Sequence, residues 1–343
     1  MPASRAGVPD EPEAGSDGHD GTAPVPNAAA GGVAGTPRRV TPPFIRVDSP
    51  TEARNPRTVE IDRLPTLEVL HLINDEDQQV ARAVWAALPK VAAAVDLAVR
   101  ALQEGRRIHY VGAGTSGRLA VLDAAELPPT FAVPHEWFVT HAAGGPAAFL
   151  RAIEGAEDDE DAGAREMIES VQAGDVVMGL AASGRTPYVV GALRASRARG
   201  AATVFVTANP AASLGTEVDV FVPVDTGPEV VAGSTRMKAG TAQKLVLNAF
   251  STAVMVRIGR TYSNLMVDLM ATNAKLRGRM LEILAEATGK DEHTCAQALR
   301  EADGELKTAL VAVLGQVSSE RARRALRHAH GHVHVALAEV GRA

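Results

Sequence analysis

Cysteine is all but missing: Cys295 is the single one in 343 residues. One thiol excludes a disulfide within the chain and a cysteine-based zinc site, and it suits a reducing compartment. Positive charge is not in excess either. Lys and Arg number 35 against 41 Asp and Glu, for a formal net charge of −6. That balance excludes a general nucleic-acid binder, because backbone contacts need clustered cations. A small anionic ligand held by a local site stays compatible with it. Long apolar runs are absent too, and the first residues lack the charged-then-apolar order of a signal peptide. The expectation is a cytoplasmic protein that engages neither membrane nor nucleic acid.

Large apolar side chains are nearly absent before Phe44 and Ile45, in a stretch of Pro, Gly, Ala and acids. Such a segment buries too little surface to offset its ordering entropy, so residues 1–45 are expected to be a disordered tail. A partner-binding arm is the other reading of that composition. The chain as a whole is 46% hydrophobic, enough for a substantial core.

What is present is organised by period. Residues 46–104 form a helical segment, with apolar positions three and four apart from Leu64 to Leu102 and Pro89 separating two helices. Short β-rich runs then alternate with helical stretches: RRIHYVG (106–112), EWFVTH (136–141), DVVMGLA (175–181), ATVFVTA (202–208) and VDVFVPV (218–224). This alternation predicts βαβ units and a mostly parallel five-stranded sheet covered on both faces, over residues 105–260. TAQKLVLNAFSTAVMVRIG (241–259) is apolar around its circumference, as a helix buried between subunits would be. A long connecting helix is expected over 261–290 and a small helical module over 291–343. In that module ALREADGELKTAL (298–310) realigns with ALRHAHGHVHVAL (325–337) at an offset of 27 residues.

Three glycine-containing loops can carry chemistry. VGAGTSGR (111–118) follows a strand, opens a helix and fits G-x-G-x-x-G through Gly112, Gly114 and Gly117. A tight structural turn, a dinucleotide site and a site for another phosphate all fit that pattern. The dinucleotide reading needs an acid at the end of the second strand, where Val139–Gly144 has none. AASGRTP (181–187) repeats the layout, so Thr115, Ser116, Gly117, Arg118 and Ser183, Gly184, Arg185 present hydroxyls, glycine and arginine at two sheet ends. Such groups suit one phosphate monoester, and both arginines also suit structural salt bridges. The third stretch, GPEVVAGSTRMKAGTAQK (227–244), offers Ser234, Thr235, Arg236, Lys238 and Lys244 around a helix start, as ligand contacts or as an ordinary capped terminus.

Two acidic clusters are candidate catalysts. VLDAAELPPTF sets Asp123 and Glu126 on one helix face before Pro128-Pro129 stops the helix, and AIEGAEDDEDAG carries Glu154, Glu157 and Asp158. Solvated surface carboxylates are the competing reading of both. His328, His330, His332 and His334 alternate as metal ligands can, but Glu301, Asp303, Glu305 and Lys307 at the repeat-equivalent positions mark an exposed polar face.

TEARNPRTVEIDRLPTLEVLHLINDED (51–77), VGAGTSGRLAVLDAAELPPTF, AIEGAEDD, LAASGRTPYVVGAL, TGPEVVAGSTRMKAGTAQKLVLN and NLMVDLMATNAKL resemble, in order and spacing, the N-acetylmuramic acid 6-phosphate etherases. The resemblance implies a sugar isomerase-type (SIS) phosphosugar-binding domain with a three-layer α/β/α fold, a small UBA-like all-α module and a homodimer. The implied reaction cleaves the D-lactyl ether of N-acetylmuramic acid 6-phosphate to N-acetylglucosamine 6-phosphate and D-lactate. By motif position Glu126 matches the family's proton donor and Glu157 its second catalytic glutamate, the implied base. Gly114, Thr115, Ser116, Ser183, Gly184, Arg185, Ser234 and Lys238 are the implied substrate contacts. Elimination and addition of water ask for no metal or redox cofactor. Leu127 and Pro146 depart from common family residues without touching the acid or base. A phosphosugar isomerase and a phosphosugar-sensing regulatory protein are the rival readings, and a dehydrogenase is a more distant one. Ten helical residues, roughly 15 Å, separate Ser116 from Glu126. The expectation is therefore a composite site, with Glu126 of one chain meeting the phosphate loops of its partner.

Overall fold

The alternating apolar runs form a sheet because the three central ones are buried on both faces and the two edge runs in part. The computed structural model describes residues 49–269 and 274–341; the expectation for residues 1–45 lies outside them. In chain order come α1 (Thr66–Gln103), β1 (Ile108–Gly112), α2 (Gly114–Phe131), β2 (Phe138–Ala142), α3 (Glu160–Ser170), β3 (Val176–Leu180), α4 (Pro187–Ala198), β4 (Ala202–Thr207), β5 (Val220–Pro223) and α5 (Lys238–Arg257). The strand order is β2-β1-β3-β4-β5, with every neighbouring pair parallel. Ile108, Tyr110, Met178 and Val204 face the apolar stripes of α1, α2 and α5, while Val111, Val177 and Phe205 face α3 and α4. These layers are the expected α/β/α sandwich. The carboxyl ends of the strands, the usual ligand edge of such sheets, carry the glycine loops.

Several local expectations give way to tertiary packing. Pro89 does not separate two helices; α1 runs through it. Pro89 is exposed, and the stripe Val80, Val84, Ala87, Val91, Ala94, Val95 and Ala98 is buried on both sides of it. Burial of that stripe outweighs the ~3 kcal/mol cost of an interior proline. Pro128-Pro129 likewise does not stop α2, which ends at Phe131 with Leu127 and Phe131 buried and Ala132 left-handed at φ 50°. Most of the apolar circumference of α5 is covered within one chain, by α1, α2 and the sheet, while Thr241, Lys244, Asn248, Thr252 and Val256 stay exposed along one side.

The long connecting helix over 261–290 is replaced by an antiparallel pair, β6 (Thr261–Tyr262) and β7 (Leu265–Met266), followed by a shorter α6 (Ala274–Thr288). Ser263 turns the hairpin at φ 52°, and Val267 and Leu269 are drawn into the C-terminal core. That core is completed by α7 (Glu292–Glu301), α8 (Leu306–Gly315), α9 (Ser319–His328) and α10 (Val333–Val340). The internal repeat is visible in the backbone: Asp303-Gly304 and His330-Gly331, at the repeat offset, both turn through positive φ between paired helices. The Lys307 ammonium bonds Asp268 at 2.5 Å and the Gly259 carbonyl at 2.9 Å, fastening this helical region to the end of α5.

Candidate functional site

The first loop is short because two glycines let a helix start against a strand end. A Cβ on Gly112 would stand 2.8 Å from the Gly117 nitrogen, and one on Gly117 would stand 2.9 Å from the Gly112 oxygen. The tight-turn reading of the pattern is therefore correct for these two glycines. It leaves the other positions available. Ala113 gives α2 no side-chain cap, and no acid lies in its first turn. Ser116 and Gly117 N–H donate back to the Ala113 carbonyl, while among the described residues the N–H groups of Gly114 and Thr115 take no partner. Gly114 is exposed, Thr115 half-buried and Ser116 buried. An uncapped N-terminus with two hydroxyls is suited to an anion.

The second loop lies beside the first because β1 and β3 are neighbours. Gly184 holds φ 78°, and a Cβ there would meet Ala212 Cβ at 2.6 Å. Asn209 Nδ2 donates to the Ser183 carbonyl and Thr207 Oγ1 to that of Ala182, both at 3.1 Å, fastening the loop to the end of β4. Thr186 gives α4 no side-chain cap, so a second free helix start adjoins Ser183. Arg185 is exposed. Arg118 Nε donates to the Phe149 carbonyl at 3.2 Å, a structural bond to the segment after β2.

The third stretch differs. Glu229 accepts from the N–H groups of Lys238 and Ala239 at 2.9 and 3.0 Å, so α5 carries its own carboxylate cap. Burial pushes the Glu229 carboxyl up, against the lowering effect of those backbone bonds. The Lys238 ammonium lies 2.6 Å from Glu76 at 1% and 2% side-chain exposure, and Arg57 reaches the same carboxylate at 2.5 Å. Lys238, expected among the substrate contacts, is thus engaged in a buried ion pair between α1 and α5. Ser234 remains partly exposed just ahead of it.

The two acidic clusters are also sorted. Asp123 turns inward and accepts from Tyr110 Oη at 3.1 Å and Ser251 Oγ at 3.0 Å. Burial pushes its carboxyl up, against those bonds and the charge of Lys244. Glu126, one turn further along the same side of α2, faces solvent, so the two carboxylates share a helix face but not an environment. Glu154, Glu157 and Asp158 are exposed, with Glu157 in the 3-10 turn Ala156–Asp158 just before α3. Because α2 is uninterrupted, Ser116 and Glu126 stay roughly 15 Å apart along its axis. Cavities of about 800 and 790 Å³ lie elsewhere, the first around Lys307 and Arg327, the second around Arg57 and Arg82. Neither is lined by Glu126, Glu157 or the loop hydroxyls.

One polar chain was not read from the sequence. His109 Nε2 lies 3.2 Å from Asp175, His109 Nδ1 lies 3.0 Å from His141 Nε2, and His141 Nδ1 lies 3.0 Å from Glu166, to which Tyr188 also donates. Burial holds His109 down at about 4, with the neighbouring His141 adding to the effect and Asp175 opposing it. Burial alone would raise Glu166, but hydrogen bonds from His141 and Tyr188 keep it below the ordinary carboxylate range. The available signal was two histidines inside otherwise apolar strands. Of the C-terminal histidines, His328 lies 3.1 Å from Glu339 and His334 packs on Tyr262.

The glucokinase regulatory protein N-terminal SIS domain family matches residues 90–197, and the SIS domain family matches 156–253. An N-acetylmuramic acid 6-phosphate etherase of Thermobifida fusca (strain YX) is 61% identical over 274 residues, covering 80% of this chain and 90% of that one. Another, of Yersinia pestis (strain Pestoides F), is 52% identical over 288 residues, covering 84% and 98%. Among solved structures, a phosphoheptose isomerase from Francisella tularensis aligns at TM-score 0.45 and 16% identity, over 56% of this chain and 98% of that one. No helix among the described residues is long and apolar enough to cross a membrane. With identities of this size running along most of both sequences, the chain belongs to the N-acetylmuramic acid 6-phosphate etherases.

Proposed function

We propose that this protein is a carbon–oxygen lyase. It cleaves the D-lactyl ether of N-acetylmuramic acid 6-phosphate to N-acetylglucosamine 6-phosphate and D-lactate, in cytoplasmic recycling of cell-wall amino sugar. The observation that carries the reading is the pair of uncapped helix starts at adjacent strand ends, each beside hydroxyls, in a chain 52–61% identical to proteins of that name. Gly114, Thr115, Ser116, Ser183, Gly184 and Arg185 hold the phosphate, with Ser234 at the rim. Lys238 serves by fixing the start of α5.

An ether resists direct hydrolysis, but in the open-chain sugar the C1 aldehyde acidifies the C2 proton. Glu157 removes that proton, the electron pair forms the C2–C3 double bond, and the C3–O bond breaks as Glu126 protonates the departing lactyl oxygen. Water then adds at C3 of the unsaturated aldehyde and C2 is reprotonated, the two acids exchanging roles. The length of α2 between Ser116 and Glu126 supports a homodimer whose site takes Glu126 from one chain and the phosphate loops from its partner.

The test is incubation with the substrate in deuterated, oxygen-18 water. D-lactate is expected, with deuterium at C2 and oxygen-18 at C3 of the amino sugar; no lactate release would end the reading. Mixed chains test the shared site. Glu126→Gln chains combined with Thr115→Asp chains should regain activity that neither has alone, and no recovery after subunit exchange would place the site within one chain. The match to the glucokinase regulatory protein SIS domain favours a second reading, a phosphosugar-sensing protein. Phosphosugar binding without lactate release would support it.

A further inference from the structure

Gln243 is a buried amide that the fold leaves unpaired. It is 3% exposed, and neither its nitrogen nor its oxygen has a hydrogen-bond partner among the described residues. A carboxamide offers two donors and two acceptor lone pairs, and leaving them unmet in a sealed interior is costly. Other buried polar groups on or against α5 are paired: Asp123 with Tyr110 and Ser251, Glu229 with the start of α5, and Lys238 with Glu76.

Helix geometry locates the amide. On α5, Gly240 and Ser251 mark the side toward α2, since a Cβ on Gly240 would lie 3.4 Å from Thr115 Cγ2 and Ser251 bonds Asp123. Lys238 marks the side toward α1. At 3.6 residues per turn, Gln243 falls on the remaining inner side with Ala239, Val246 and Phe250. Val246 and Phe250 belong to the core cluster that contains Tyr110, Leu180 and Val206 of the sheet. Gln243 lies one turn before them, nearer the carboxyl edge, and helix side chains lean toward the N-terminus. The amide is therefore directed back beneath Thr115 and the Gly112–Arg118 loop.

We propose that Gln243 is a binding residue of the phosphosugar site, its amide nitrogen donating to the ligand's phosphate from beneath that loop, directly or across one bound water. The inference rests on the reading that places a sugar phosphate there. Both amide atoms are sealed from solvent in the free chain, so the loop above them must shift as the ligand seats for these hydrogen bonds to form. Binding collects what folding leaves unmade.

The test uses Gln243→Met, similar in length and without the amide, with N-acetylglucosamine 6-phosphate as probe and N-acetylglucosamine as the phosphate-free control. The variant should unfold at the wild-type midpoint or above it, because an unmet amide has been removed. Its Kd for the 6-phosphate should rise tenfold or more, with the control sugar unaffected, and KM for the etherase substrate should rise while kcat stays within about threefold. A lower midpoint with unchanged Kd would make Gln243 a structural residue and overturn the proposal; so would a higher midpoint with unchanged Kd. Should Gln243→Met not fold, Gln243→Glu supplies the reading. Its carboxylate should weaken the 6-phosphate at least a hundredfold at pH 8 and leave the control sugar alone, and equal weakening of both sugars would overturn the proposal. Wild-type lactate release with unaltered binding by the variant removes this inference alone. Phosphosugar binding that depends on Gln243 without lactate release removes the etherase reading alone.

Discussion

α2 and α5 both begin at the carboxyl edge of the sheet, and they handle the positive end of a helix in opposite ways. At α5 the chain supplies its own anion: Glu229 caps two N–H groups and Glu76 neutralises Lys238. At α2 no side chain caps the helix and no acid stands in the first turn. Both stretches are rich in glycine, hydroxyls and cations, and from composition either could cradle a phosphate. The difference is that one is already satisfied. A ligand anion belongs where the fold has left donors without an acceptor, so the helix start with the fewest internal partners is the informative one.

The strongest test of that contrast uses the far end of α2. If the phosphate sits at the open start, the acid ten residues along acts as general acid in a partner's site. Glu126→Gln should then slow lactate release about 10³-fold while still exchanging the C2 proton. Equal loss of both activities, followed by NMR in deuterated water, would contradict the division of roles. Next in size is the closed start. Lys238→Met leaves Glu76 buried with only Arg57 as partner and should cost about 3–4 kcal/mol of stability in urea unfolding, with KM within twofold of wild type. A large rise in KM without loss of stability would return Lys238 to the ligand. Pairing the change with Glu76→Gln should restore much of the loss.

How much of this was legible depended on how far each signal reaches along the chain. The five strands were legible because each is a short apolar run bounded by turn residues, buried on both faces in β1, β3 and β4 and partly in β2 and β5, and the two hydroxyl loops because their glycines and serines are neighbours in sequence. Pro89 and Pro128-Pro129 misled because a local rule for ending helices was set against stripes whose burial depends on the whole sandwich. The roles of Lys238 and Asp123 were hidden by distance: their partners Glu76 and Ser251 lie 162 and 128 residues away. Gln243 reads in sequence as one polar letter in an apolar helix. Only the packing of α5 against two helices and the sheet at once makes it anomalous. Glu126 and Glu157 were found by motif resemblance, since exposed carboxylates carry no physical signal of their own in a single chain.

Acid sharpens the contrast from the opposite face of the sheet, where neither helix start contributes a histidine. His109 stays neutral in the fold down to about 4, whereas in the unfolded chain it takes a proton near 6.5. Between those values the unfolded state binds more protons, so stability falls as pH drops, by about 3 kcal/mol across the window. Asp175, Arg107 and His141 are the charged and titratable groups facing it. Urea midpoints at pH 7, 5 and 4 should show the slope, and His109→Leu should flatten it. An unchanged slope would assign the acid sensitivity to other groups.

The smallest effect is also the most direct. Thr115→Asp gives α2 what α5 already has, a carboxylate at its opening turn. The new charge should not harm the fold, since an acid in a first turn is worth roughly 0.3–1 kcal/mol in favour of the helix. It should repel the ligand instead: KM for the phosphorylated substrate is expected to rise about a hundredfold, equivalent to ~2.7 kcal/mol, and the effect should shrink in high salt as the charges are screened. Steady-state kinetics beside a thermal melt separates the two consequences. A variant that melts at or above the wild-type temperature yet binds poorly would show that α2 was kept uncapped for its ligand. A variant that binds normally would show that the open start is only an unfinished helix end, and that the phosphate is held elsewhere.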